Sequence, residues 1–85
     1  MNTSGIQFTP VATEKAVMLI ERENVITFIV DMQYKKDEIK KQFQEVFDVK
    51  VKKIRTLTRA NKKYVFIKLK KEFPAIDLAT KIGVI

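Results

Sequence analysis

The chain has no cysteine, no histidine and no tryptophan, and only two glycines and two prolines. Without cysteine there is no disulfide framework and no thiolate metal site. Without histidine the commonest metal ligand and the commonest general base are missing. The glycines stand at opposite ends, which excludes a glycine-rich phosphate loop, and so little Gly and Pro leaves little room for linkers. The longest apolar runs are Ala16 to Ile20 and Val25 to Val30, with Thr27 inside the second. Both fall far short of the ~20 residues that span a bilayer, so no stable membrane insertion is expected. Met1 to Pro10 has neither a basic region nor a long apolar run and does not read as a signal peptide. The carboxylates Asp37, Glu38, Glu45 and Asp48 sit at helix ends and helix surfaces, with no nucleophile–base partnership in reach. No catalytic residue, metal or cofactor is expected, and the chain does not read as an enzyme.

What is present is a core's worth of apolar residues and a concentrated positive charge. Hydrophobic residues make up 46% of 85 residues, which suits one small folded domain spanning 1–85 rather than a disordered basic tail. Met1 to Gly5 reads as a loose end. The whole reads as a soluble, intracellular, basic domain. The net charge is +7, from 17 basic and 10 acidic residues. Ten of the basic residues fall between Val49 and Lys71: Lys50, Lys52, Lys53, Arg55, Arg59, Lys62, Lys63, Lys68, Lys70 and Lys71. That segment has no Asp or Glu, and the remainder is net −3. A solvated surface normally mixes signs. Twenty-three residues without a carboxylate point to a polyanion, most often nucleic acid. A lysine-rich sheet edge that resists aggregation is the plainer reading. Lysine is a point charge suited to phosphate, so contact is expected to follow backbone and shape rather than base identity.

Periodicity gives the order β-α-β-α-β-β-α. Ile6-Gln7-Phe8 alternates and reads as an edge strand stopped by Pro10. Thr13 reads as an N-cap of a helix running to about Arg22, with Glu14 in its first turn. Asn24 marks a turn. Val25 to Asp31 alternates as a strand. Lys36 to Phe47 is the clearest helix, with Ile39, Phe43, Val46 and Phe47 as its apolar stripe. Val49 to Arg59 and Tyr64 to Lys70 read as a hairpin around Ala60 to Lys63. The inward parity of Val49 and Val51 fails at Ile54, which a bulge at Lys52-Lys53 would restore. A last helix starts near Phe73, with Ile76, Ala79 and Ile82 as its stripe, Leu78 beside it, and Gly83 as its stop. The fold class is α+β, an antiparallel sheet with helices packed on it, of the ferredoxin-like or α-β plait kind.

Tyr64 and Phe66 alternate with Lys68 on one strand face. Aromatics among lysines can stack unpaired bases. With three helices and one sheet, Phe66 is expected in the core, and Tyr64 is open to either role. Phe28, Phe43 and Ile67 are expected to form the central core.

Pro10-Val11-Ala12-Thr13-Glu14-Lys15 resembles the Pro-x-x-Thr/Ser-Glu-Lys motif of the universal large-subunit ribosomal protein twenty-three family. Asn24 to Asp31 resembles its strand after the first helix. Lys36 to Lys41 and Val46 to Val51 resemble its second helix running into the hairpin, and Ile54-Arg55-Thr56-Leu57 its Val-Asn-Thr-Leu strand. The matches run in order from about Phe8 onward. The resemblance implies a component of the large ribosomal subunit, located in the cytoplasm on the ribosome. It implies binding to large-subunit rRNA beside the exit of the nascent-chain tunnel. The implied neighbours are large-subunit ribosomal protein twenty-nine and the signal recognition particle or a nascent-chain chaperone. Within the motif it makes Lys15 RNA-facing, beside the hairpin candidates Lys50, Lys52, Lys53, Arg55, Arg59, Lys62, Lys63, Tyr64, Lys68 and Lys70. It turns Glu14, Phe47 and Asp48 toward the exit-side docking surface. Three positions depart from the family. Arg55 replaces the usual Asn, Lys35 stands where a capping Thr or Ser is common, and the hairpin turn is short, as in archaeal members.

Two other readings fit the charge. One is a free single-strand RNA-binding domain of the RNA-recognition-motif type, since Lys62-Lys63-Tyr64-Val65-Phe66-Ile67 faintly resembles its aromatic strand. Only 14 residues follow Lys71, too few for that fold's remaining helix and strand. The other is a basic protein-only adaptor.

Overall fold

A computed structural model describes residues 5–85. The elements are β1 (Thr9–Pro10), α1 (Glu14–Glu23), β2 (Val25–Val30), α2 (Lys36–Phe47), β3 (Val51–Arg59), β4 (Lys62–Leu69) and α3 (Ala75–Ile82). The expected order is borne out. Apart from Gly5, the segment expected as a loose end lies outside the described residues.

One antiparallel sheet runs β1-β2-β4-β3. β2 and β3 both pair with β4 and are therefore parallel to each other, so β2-α2-β3 is a split β-α-β unit. β1 lies beside β2, in the sheet position that the final strand of a ferredoxin-like plait would take. β1 thus completes the sheet from the N-terminal side of β2.

Cross-strand partners share a face of the sheet. Ile26, Ile67 and Ile54 align across three strands, and Phe28 aligns with Val65. This face is the core. Phe28, Phe43, Ile26, Ile39, Ile67 and Val65 have no exposure. Phe43 meets Phe28 edge-on at 5.3 Å, and Phe8 closes on both at 5.3 and 5.7 Å. Such pairs add about 0.5–1.5 kcal/mol each beyond simple burial.

Local chemistry explains most boundaries. The Thr13 hydroxyl accepts from the Ala16 N–H at 3.2 Å and caps α1. At α2 no side chain among the described residues caps the first N–H groups, and the Glu38 carboxylate accepts from the Lys35 N–H at 3.3 Å, the N3 half of a capping box. The bulge falls where parity required it, with Val51 opposite Leu69 but Lys53 opposite Lys68. Ala60 and Asn61 both have positive φ, 50° and 63°, the geometry of a two-residue I′ hairpin turn. Gly83 ends α3 at φ 83°, and the Val84 N–H closes back on the Ala79 carbonyl at 2.9 Å, a Schellman closure.

Asn24 does more than mark a turn. It ends α1 in a left-handed conformation at φ 59°. Its side-chain Oδ1 accepts from the Ala75 N–H at 2.6 Å, the first residue of α3, whose own N-cap position is Pro74. Its Nδ2 donates to the carbonyls of Leu69 at 3.1 Å, Phe73 at 3.3 Å and Lys70 at 3.4 Å. One side chain therefore ties the end of α1 and the end of β4 to the start of α3.

Four sequence expectations need correction. The first strand is Thr9–Pro10, not Ile6 to Phe8. Ile6 is buried and its N–H donates to Gln42 Oε1 at 2.7 Å on α2, so its apolar period reports packing against a helix. Pro10 belongs to the strand because an edge position does not need its missing N–H. Val46 is 59% exposed and outside the α2 stripe. In α3 the buried stripe is Ala75, Leu78 and Ala79, with Ile82 half-buried and Ile76 exposed. Phe66 is not core, as its register places it on the opposite sheet face.

Candidate nucleic-acid interface

The face opposite the core is built by alternation alone. From β3 it carries Lys53, Arg55, Leu57 and Arg59, and from β4 Lys62, Tyr64, Phe66 and Lys68. Two pairs set like charges directly opposite each other, Lys53 with Lys68 and Arg59 with Lys62. Each such pair is destabilising, and between Val49 and Lys71 there is no carboxylate to relieve it. The Arg55 guanidinium lies 5.0 Å from the centroid of the Phe66 ring, a cation–π contact. The result is a mostly open basic face with two half-buried aromatic rings near its centre.

Toward β2 the same face becomes closed. Val25 and Thr27 are 8% and 3% exposed. β1 is two residues long, and α1 packs along the rest of β2 while also touching α3. α1 and the open face together form a cleft of about 560 Å³. Tyr64, Phe66 and Thr27 line it from the sheet, Met18 and Leu19 from α1, and Leu57 from β3, while Lys15, Arg22 and Arg59 bring its positive charge. Glu23 is the one carboxylate there.

The sequence candidates therefore divide into three sets. Lys53, Arg55, Arg59, Lys62, Tyr64 and Lys68 share the open face, and Lys15 joins them through the cleft. Lys50, Lys52 and Lys70 line a separate groove near the start of β3, together with Lys40 and Asp48. Lys63 belongs to neither set. It has the parity of Val65 and Ile67, and its ammonium donates to the Tyr34 carbonyl at 2.6 Å. Of the docking candidates, Glu14 and Asp48 are exposed, at the start of α1 and the end of α2. Phe47 is half-buried against Phe43, at 4.6 Å between centroids. Asp48 faces a groove with four lysines, a different setting from that of Glu14.

Two basic residues escaped the sequence reading. Arg22 stands seven residues after Lys15, with Leu19 between, which puts all three on one side of α1. That spacing was the available signal. Lys40 reaches its groove only through the packing of α2 beside β3, and no local pattern marks it. Among the described residues no group of acidic side chains is arranged to hold a metal ion, and no helix is long and apolar enough to cross a membrane. The arrangement offers fixed positive charge, two flat rings and an apolar cleft. The family model described as Ribosomal protein L23 matches residues 5–76.

Proposed function

The chain belongs to the Ribosomal protein L23 family, structural proteins of the large ribosomal subunit, and on that premise we propose that its open sheet face binds large-subunit rRNA. The observation that carries this reading is the two like-charge cross-strand pairs, Lys53 opposite Lys68 and Arg59 opposite Lys62, on a hairpin without an acid. A phosphate backbone supplies counter-charge that the hairpin itself lacks, and lysines suit it as point charges. The groove of Lys40, Lys50, Lys52 and Lys70 extends the positive surface to the other end of the sheet.

With that face on RNA, the rest of the chain turns outward. We place it at the nascent-chain tunnel exit, beside large-subunit ribosomal protein twenty-nine. Glu14, at the start of α1, and Asp48 with Phe47, at the end of α2 on the rim of the lysine groove, offer two separate carboxylates to the signal recognition particle or a nascent-chain chaperone. Charge of that kind speeds encounter more than it tightens a complex. The two-residue turn at Ala60-Asn61 supports the archaeal form of the family.

Co-sedimentation tests the assignment. The tagged chain should travel with large subunits and stay with them through a moderate salt wash. A chain that remains at the top of the gradient, yet binds short single-stranded RNA, is instead a free RNA-binding domain. Tyr64 and Phe66 on the open face of a central strand favour that second reading specifically, since sheet-face aromatics are how such domains stack bases.

A further inference from the structure

The cleft between α1 and the open face is unlike the rest of the basic surface. Its volume of about 560 Å³ falls in the range of ligand clefts, roughly 300–1,000 Å³. Met18 and Leu57, which line it, are 41% and 48% exposed, a large apolar exposure for a surface otherwise rich in lysine. Phosphate alone gains nothing from such walls. At its floor Thr27 Oγ1 is buried and has no hydrogen-bond partner among the described residues. A buried hydroxyl without a protein partner calls for an explanation, and a partner brought by a ligand is one.

We propose that this cleft takes one unstacked nucleobase of the RNA strand whose phosphates lie along the basic face. The proposal rests on the RNA-binding reading of that face. Three features select a base over an apolar protein side chain. Tyr64 and Phe66 present rings at the cleft, and every base has a π-face that stacks on such rings. Lys15, Arg22 and Arg59 line the same cleft and offer cations to the phosphates that flank an inserted base. A base edge carries donors and acceptors for the Thr27 hydroxyl, and an aliphatic side chain carries none. Arg55 holds Phe66 through its cation–π contact, so the aromatic platform is braced from the open face before RNA arrives.

The test uses a short single-stranded RNA with one central 2-aminopurine, and the same RNA with that position abasic. On binding to the intact chain, 2-aminopurine fluorescence should be quenched by stacking. The abasic RNA should bind more weakly by about 5- to 150-fold, the range of one base–aromatic stack. Tyr64→Ala should weaken binding of the intact RNA by a similar factor and leave the salt slope unchanged, because every cation that faces phosphate is still in place. Met18→Trp, which fills the cleft from the helix side and changes no residue of the sheet, should do the same. If both RNAs bind equally well with the normal salt slope, the base proposal is overturned while RNA binding stands. The cleft then belongs to an apolar side chain of a protein partner. If neither RNA binds with any salt dependence, the RNA reading fails and the proposal falls with it.

Discussion

Substitution of Asn24 should destabilise the chain in an unusual order. The side chain makes one short bond to the Ala75 N–H at 2.6 Å and donates to three carbonyls, with Leu69 the closest at 3.1 Å. Its backbone is left-handed at φ 59°. Asn24→Gly keeps the backbone comfortable and removes only the side-chain bonds. Loss of the α3 cap costs about 1 kcal/mol and the freed carbonyls about 0.5–1.5 kcal/mol more, for a total of about 1.5–2.5 kcal/mol. Asn24→Ala removes the same bonds and adds a left-handed alanine at about 1–2 kcal/mol, for about 2.5–4.5 kcal/mol. The order is therefore wild type, then Gly, then Ala. In an ordinary helix interior Ala would be better than Gly by up to ~1 kcal/mol, so the sign of the Gly–Ala difference is diagnostic. Urea denaturation followed by circular dichroism gives both values, provided the slope with urea is unchanged. If Ala is as stable as Gly, residue 24 is not left-handed, and if both lie within about 0.5 kcal/mol of wild type as at a plain surface site, Asn24 is not the clamp described.

Phe43 has no exposure and touches three other rings, so Phe43→Ala should cost about 3–5 kcal/mol. Val46→Lys, on the exposed side of the same helix, should stay within about 0.5 kcal/mol in the same titration. Ala60→Gly relieves one positive φ in the hairpin turn and should raise the urea midpoint by an amount equivalent to at most about 1 kcal/mol; a lower midpoint would mean the turn is not of the I′ kind. Glu14→Lys with Asp48→Lys should leave subunit incorporation normal and slow the association of signal recognition particle or chaperone with assembled ribosomes. Unchanged association would leave both carboxylates with only their helix-end roles.

What could be read in advance follows a physical line between local and long-range terms. The α2 helix was legible because Ile39, Phe43 and Phe47 repeat every fourth residue. The β3 bulge was legible because Ile54 breaks the parity of Val51. Both are properties of one element. The first strand was not legible, because Ile6 and Phe8 alternate whether they pair in a sheet or pack on α2, and only the Gln42 contact decides. Phe66 was misplaced for a related reason. Alternation says that Tyr64 and Phe66 share a face, but not which face the helices cover. The stripe of α3 was only partly legible, because Ile76, Leu78, Ala79 and Ile82 are all apolar and only packing, with Ala75 held to Asn24, selects the face of Ala75, Leu78 and Ala79. Most of the basic face followed from strand parity, and parity also had the means to set Lys63 apart, since it is in phase with Val65 and Ile67. The cleft had no sequence signal, because its two walls come from elements joined only by the fold.

The central claim is that the open hairpin face meets RNA phosphates, and the salt dependence of RNA affinity tests it most directly. Lys53, Arg55, Arg59, Lys62 and Lys68 share that face, whereas Lys36, Lys41 and Lys81 are exposed on α2 and α3. With the first set changed to Gln, the slope of log affinity against log salt should fall by about 0.7 for each phosphate that no longer meets a cation. With the second set changed, it should be nearly unchanged. An unaltered slope in the first variant, or an equal fall in both, would contradict the account.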